Sequence, residues 1–169
     1  KKIEQRLTFC RDAMRAVEDL PFVLAQPPAQ AARFLVIRGQ SQLDRSDHAG
    51  AAESGEKLAQ LNVPDDQSAA RARNLYNAAC LLSLASAAAA KDEDLAKADR
   101  TGLVDKHVTR AVELLKEDRS LAYFKDPANV VYMKKDADLD PLRERDDFKQ
   151  FVKELEASAT DPDEPATDE

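Results

Sequence analysis

Apolar residues recur along this chain at helical intervals from its first turn onward. Ile3, Leu7, Cys10, Met14 and Val17 are separated by four, three, four and three residues, which places them along one stripe of a helix. The spacing predicts a first helix with one buried face. It should stop at Leu20-Pro21, because proline disfavours helical geometry in the residue before it. "AQPPAQ" (Ala25 to Gln30) reads as a turn, and Pro28 suits the first turn of the next helix, where a missing N–H costs nothing. A second helix is predicted from about Pro28 to Leu43, with Phe34, Leu35, Ile37 and Leu43 as its larger apolar groups. "DRSDHAG" breaks it, and Ser46 or Asp47 can cap a third helix over about Asp47 to Leu61. That helix carries small residues at Ala51, Ala52, Gly55 and Ala59. Small residues let helix axes approach closely, so the pair should form a tight antiparallel hairpin that "NVPDD" closes.

The fourth predicted helix is the longest, from about Gln67 to Ala90, with Leu75, Ala78, Ala79, Leu82, Ala85 and Ala89 on one face. "KDED" supplies a turn and a cap. A fifth helix runs to about Asp118 on the stripe Leu103, Val104, Val108, Ala111, Val112 and Leu115, with Gly102 a tolerated weak point. Past Ser120 the elements shorten. A short helix follows Asp126-Pro127, and a last amphipathic one holds Phe148, Phe151, Val152 and Leu155 at helical spacing. The tail from Ser158, "SATDPDEPATDE", has nothing to bury and is expected to be disordered. The domain reading is therefore one helical unit over 1–157, with hairpins at about 28–61 and 67–118, a capping segment at about 120–157, and an acidic tail at 158–169.

Composition strengthens the helical reading. Only 4 glycines and 8 prolines occur in 169 residues, with no tryptophan, whereas sheets want β-branched and aromatic residues and glycine turns. An all-α fold is expected. Formal net charge is -7, but Asp161, Asp163, Glu164, Asp168 and Glu169 fall in the last twelve residues, leaving a near-neutral body. Such a body lacks the phosphate-neutralising surface of a nucleic-acid binder and the basic patch of a membrane-adhering protein. No run of about 18 apolar residues exists to span a bilayer. Cys10 and Cys80 both sit at apolar-periodic positions, so two buried free thiols and a reducing, cytoplasmic setting are expected. "KKIEQRL" opens without methionine or a signal-like segment, as an excised piece of a longer protein would.

Two hairpins of similar size raise the question of a repeat. Ala51 or Ala52, Ala59 and Pro64 match the later part of the tetratricopeptide pattern, and Tyr76, Cys80, Ala111 and Leu115 match it partly in the second hairpin. The first hairpin lacks the pattern's aromatic residue, and the second has an expanded connection. The expected architecture is a short tetratricopeptide-like superhelical array with short capping helices. "LYNAACLLSLASA" (Leu75 to Ala87), "RAVELLKE" (Arg110 to Glu117), "YFKDPANV" (Tyr123 to Val130) and "KKDADLDPLRERDDF" (Lys134 to Phe148) go further. In that order they resemble the C-terminal tetratricopeptide-like region that follows the catalytic domain in many bacterial serine/threonine protein kinases. The resemblance implies a scaffold that holds protein partners or substrates near a kinase.

The chain itself carries no kinase signature: the glycine-rich phosphate loop, the strand lysine, "HRD" and "DFG" are missing. Gly39, Gly50, Gly55 and Gly102 are too scattered to build the loop. Neither His48 nor His107 has a second His or Cys at the four-residue helical spacing of a zinc pair, and both are expected to be solvated or to pack within hairpins. No serine or cysteine sits in a nucleophile signature, so no catalytic residue, cofactor or metal is assigned. In "DADLDPLRERDDF", Asp136, Asp138 and Asp140 alternate as calcium-loop ligands do. The loop's sixth position, which requires glycine, would be Pro141, and its twelfth, which requires glutamate, would be Asp147. Helix capping is the better reading, with Asp140 as the cap of a turn through "DPLR" and Asp146 or Asp147 opening the last helix.

Charged residues such as Arg33, Arg38, Arg45, Arg71 and Arg73 are expected on solvated faces. A repeat scaffold also presents a concave groove lined by the first helices of successive repeats, able to hold a helix or an extended peptide. Arg38, Gln42, Asn74 and Asn77 are the candidate lining. The expected function is a non-catalytic protein–protein interaction scaffold with a protein or peptide partner. A ligand- or metal-sensing domain would instead gain stability with its ligand, and a structural spacer or dimerisation unit would show an exposed apolar face.

Overall fold

The computed structural model describes residues 2–120 and 123–160, and every regular element among them is helical. The order is α1 (Lys2–Glu18), α2 (Leu20–Leu24), α3 (Pro28–Asp44), α4 (His48–Ala59), α5 (Ser68–Ala90), α6 (Lys97–Ser120), α7 (Pro127–Lys135) and α8 (Asp146–Thr160). Single tight turns of 3₁₀ helix lie at Asp65–Gln67, Tyr123–Lys125 and Ala137–Leu142.

Helix α5 is the centre of the packing. It touches α3 and α4 on one side, α6 on the other, and the 137–142 turn near its middle. Its residues are accordingly buried almost all round, from Ala72 through Leu75, Ala78, Ala79 and Leu82 to Ala89. Short connections make α3–α4, α4–α5 and α5–α6 antiparallel neighbours. Glycine sets the spacing of α4 on α5: a Cβ built on Gly55 would lie 3.2 Å from the Ala78 carbonyl oxygen. Local signals start the helices as expected. Asp47 Oδ1 accepts from the Gly50 N–H at 2.9 Å, and Asp126 Oδ1 from the Ala128 N–H at 2.9 Å.

The first helix departs from the reading of its stripe. Ile3, Leu7 and Met14 are 74%, 65% and 76% exposed, and Cys10 is exposed as well, so of the two cysteines only Cys80 is buried. The covered face of α1 is centred instead on Ala13 and Ala16, with the partly exposed Phe9 at its edge. The Phe9 ring lies 5.7 Å from Phe34, which Phe22 approaches at 6.0 Å from α2. Periodicity finds an apolar face; it cannot say which face another helix covers. Nor does the chain leave helical geometry at Leu20-Pro21. It breaks at Asp19, whose carboxylate accepts from the Phe22 N–H at 2.9 Å, so that Pro21 sits in the first turn of α2.

At the other end, α7, the 137–142 turn and α8 close over α5 and α6 with Met133, Leu139, Leu142, Phe148, Phe151 and Leu155 buried. Helix α8 is pinned to α6 by Arg119, which reaches Glu154 at 3.0 Å and the Ser158 hydroxyl at 2.8 Å. Arg145 ties its start to Asp105 and Thr109 at 3.2 Å each. The last helix runs through Thr160, two residues past Ser158, where the sequence reading begins its tail. The remainder of the acidic tail, 161–169, lies outside the described residues. No helix among the described residues is long and apolar enough to cross a membrane.

Candidate functional site

A concavity of about 670 Å³ runs between α3 and α5, with Phe9 of α1 at its rim. Its α3 wall is Ala29, Ala32, Arg33, Val36 and Ile37; its α5 wall is Ala70, Arg73, Asn74 and Asn77. Phe9, Pro28, Val63 and Gln67 complete its lining. The walls result from helical spacing: residues three and four apart on α3 and on α5 look into the same trough, and alanine at two of them keeps it open.

The charged groups at the trough are all of one sign. Arg33 and Arg73 are exposed, neither has a carboxylate partner among the described residues, and no acid lines the walls. The Arg33 guanidinium lies 5.5 Å from the centroid of the Phe9 ring, which restricts where its charge can point. Asn74 and Asn77 add amides able to pair with a peptide backbone. The trough thus offers an apolar floor, two cations and two amides.

The four residues selected from the sequence split evenly. Asn74 and Asn77 line the trough; Arg38 and Gln42 do not reach it. Arg38 turns toward α1 and donates to the Val17 carbonyl, with Glu53 3.8 Å away on its other side. Gln42 is buried, and its amide donates to the Ser54 hydroxyl at 2.7 Å and to the Gly50 carbonyl at 2.9 Å, while accepting from Arg38 at 3.2 Å. These two therefore join α3 to α1 and α4. Polarity alone selects them from the sequence. The omitted lining, Ala29, Ala32 and Val36, consists of small or half-covered apolar residues whose exposure depends on helical phase.

The alternating aspartates do not converge on one point. Cys80 Sγ and carboxylate oxygens of Asp136 and Asp138 lie within 4.8 Å of one another, but Asp140 is turned outward to Arg143 at 2.6 Å. Asp136 is already engaged: Oδ2 accepts from the Tyr76 hydroxyl at 2.7 Å and Oδ1 from the Asp138 N–H at 3.1 Å. Burial pushes both the Cys80 thiol and the Tyr76 phenol above their ordinary pKa values, keeping them protonated donors. A thiol and two carboxylates, one of them committed, are a poor set for calcium, which takes six to eight oxygens, and zinc requires the thiolate. The cluster's visible work is mechanical. Asp136 caps the Ala137–Leu142 turn and fastens it to α5, so the turn begins four residues earlier than a cap at Asp140 would place it.

His48 and His107 pack within the helical layers. His48 Nε2 sits 3.0 Å from Asp92 Oδ2, linking the start of α4 to the α5–α6 connection. That hydrogen bond, with the Asp94 N–H, holds the Asp92 carboxyl below its usual pKa. His107 is buried, and burial lowers its pKa, assisted by Lys106 and His48. In the last turn of α6, Asp118 is fully buried with neither oxygen hydrogen-bonded. Burial, with Glu117 beside it, pushes its pKa up to about 8.

No family model, curated protein or solved structure matches the chain.

Proposed function

We propose that this chain is a non-catalytic protein–protein interaction module whose α3–α5 trough binds an extended peptide carrying an apolar residue flanked by carboxylates. The trough carries the proposal: it is an open concavity with apolar walls, two arginines without carboxylate partners and no acid in its lining. The packing order supports a tetratricopeptide-like mode, since α3 and α5 are the first helices of successive hairpins and α5 touches both helices of the preceding one. The resemblance in Leu75 to Phe148 supports the wider setting, a C-terminal module of a bacterial serine/threonine protein kinase that recruits substrates or partners.

Fluorescence anisotropy with labelled peptides of matched apolar content and opposite charge tests the groove. The acidic peptide is expected to bind in the micromolar range and to weaken with salt, and the basic one not to bind. Arg33→Glu combined with Arg73→Glu should abolish binding without changing the thermal midpoint. Equal binding of both peptides, or unchanged binding by the double variant, rejects the groove.

A further inference from the structure

Three of the most exposed large apolar residues, Ile3, Leu7 and Met14, lie on one side of α1 with the exposed Cys10 between them. Their intervals of four, three and four are those of a coiled-coil seam. The seam is turned roughly 120° away from the face that Phe9, Ala13 and Ala16 press against α3, taking about 100° per residue. We infer that this face is a homodimer interface, in which α1 of one protomer lies antiparallel against α1 of a second copy.

The register follows from the spacing. Setting Ile3 against the partner's Met14 and Leu7 against the partner's Cys10 makes four layers, each pair occurring twice about a two-fold axis. The flanking charges choose the direction. Antiparallel, Glu4 of each protomer lies beside Arg11 of the other, making two opposite-charge pairs. Parallel, Arg6 of each chain would face Arg11 of the other, bringing like charges together twice. A free peptide of two heptads is too short to hold such a seam. Here α1 is already held helical by its contacts with α2 and α3, so association need not order it.

Cys10 lies in the seam and Cys80 in the core, so one thiol reports the interface and the other serves as control. Sedimentation of the full chain over roughly 1 to 500 μM should show reversible dimerisation, and the rate at which Cys10 reacts with a maleimide should fall as dimer forms. Leu7→Glu with Met14→Glu, both on solvent-exposed positions, should raise the dissociation constant at least about 100-fold while the thermal midpoint of the monomer holds. Arg11→Glu decides the orientation. It should weaken the dimer about tenfold by setting Glu4 against a new acid, and adding Glu4→Arg should restore it. Tighter association of Arg11→Glu would indicate a parallel pair and overturn the antiparallel arrangement. A chain that stays monomeric, with Cys10 reactivity independent of concentration, overturns the inference altogether.

Discussion

The Tyr76 hydroxyl donates a 2.7 Å hydrogen bond to Oδ2 of Asp136, a residue 60 positions away in the chain. Around it the Tyr76 ring meets Tyr123, Phe124 and Tyr132 at centroid distances of 5.1, 6.4 and 6.2 Å. The pairing fastens the 137–142 turn to the central helix and explains why the most acidic stretch of the body is also one of its anchors.

Tyr76→Phe keeps the ring and removes the donor. It should lower stability by about 1–3 kcal/mol in urea melts, the usual range for losing a hydrogen bond to a charged acceptor. Millimolar calcium should leave the wild-type midpoint unchanged. A calcium-dependent rise in the midpoint that Asp136→Asn eliminates would return the stretch to a metal-sensing role.

Asp118 makes stability depend on pH with a definite sign. Its folded-state pKa is raised from 3.8 to about 8, so the unfolded chain loses the proton first as pH increases. The contribution is fully present below about pH 4, is lost as pH rises through the window to about 8, and is constant above it. Asp118→Asn should remove that fall and, at pH 8, stabilise the fold by on the order of 1–3 kcal/mol. Chemical denaturation of both proteins at half-unit pH steps measures the difference.

Gly55 and Gly102 should respond oppositely to substitution. Gly102 lies in α6, and a Cβ added there would meet nothing within 4 Å, so Gly102→Ala should stabilise by about 0.5–1 kcal/mol through helix propensity. At Gly55 the added Cβ already meets the Ala78 carbonyl oxygen at 3.2 Å and Leu81 and Leu82 at 3.4 Å. The further methyls of Gly55→Val would push α4 off α5, costing about 2 kcal/mol or more. Thermal melts of the two variants give the comparison directly.

Gln42→Leu separates support from lining. It leaves the buried Ser54 hydroxyl without its side-chain partner and should destabilise by about 1–3 kcal/mol. Peptide affinity of the folded fraction should stay within about twofold, since Gln42 does not reach the trough. A large loss of affinity at unchanged stability would place Gln42 in the binding surface.

The longer helices, their approximate bounds and several caps were legible along the chain, because proline, Asp47, Asp126 and apolar intervals act within a turn or two of where they stand. The buried stripes of α5 and α6 were legible for the same reason. What tertiary structure decided was direction. Ile3, Leu7, Cys10 and Met14 make as regular a stripe as Leu75, Ala78, Ala79 and Leu82, yet α3 covers the neighbouring face through Phe9 and Ala16 and leaves the regular one in solvent. Arg38 and Gln42 were as eligible for the groove as Asn74 and Asn77, but they stand on the opposite side of α3 from the trough wall and meet α1 and α4 instead. Asp136 met Tyr76 only because the chain folds back across 60 residues. Local patterns determine which residues share a face, since that is set by 3.6 residues per turn; which face is buried depends on the neighbour that arrives, and that neighbour is supplied by distant parts of the chain.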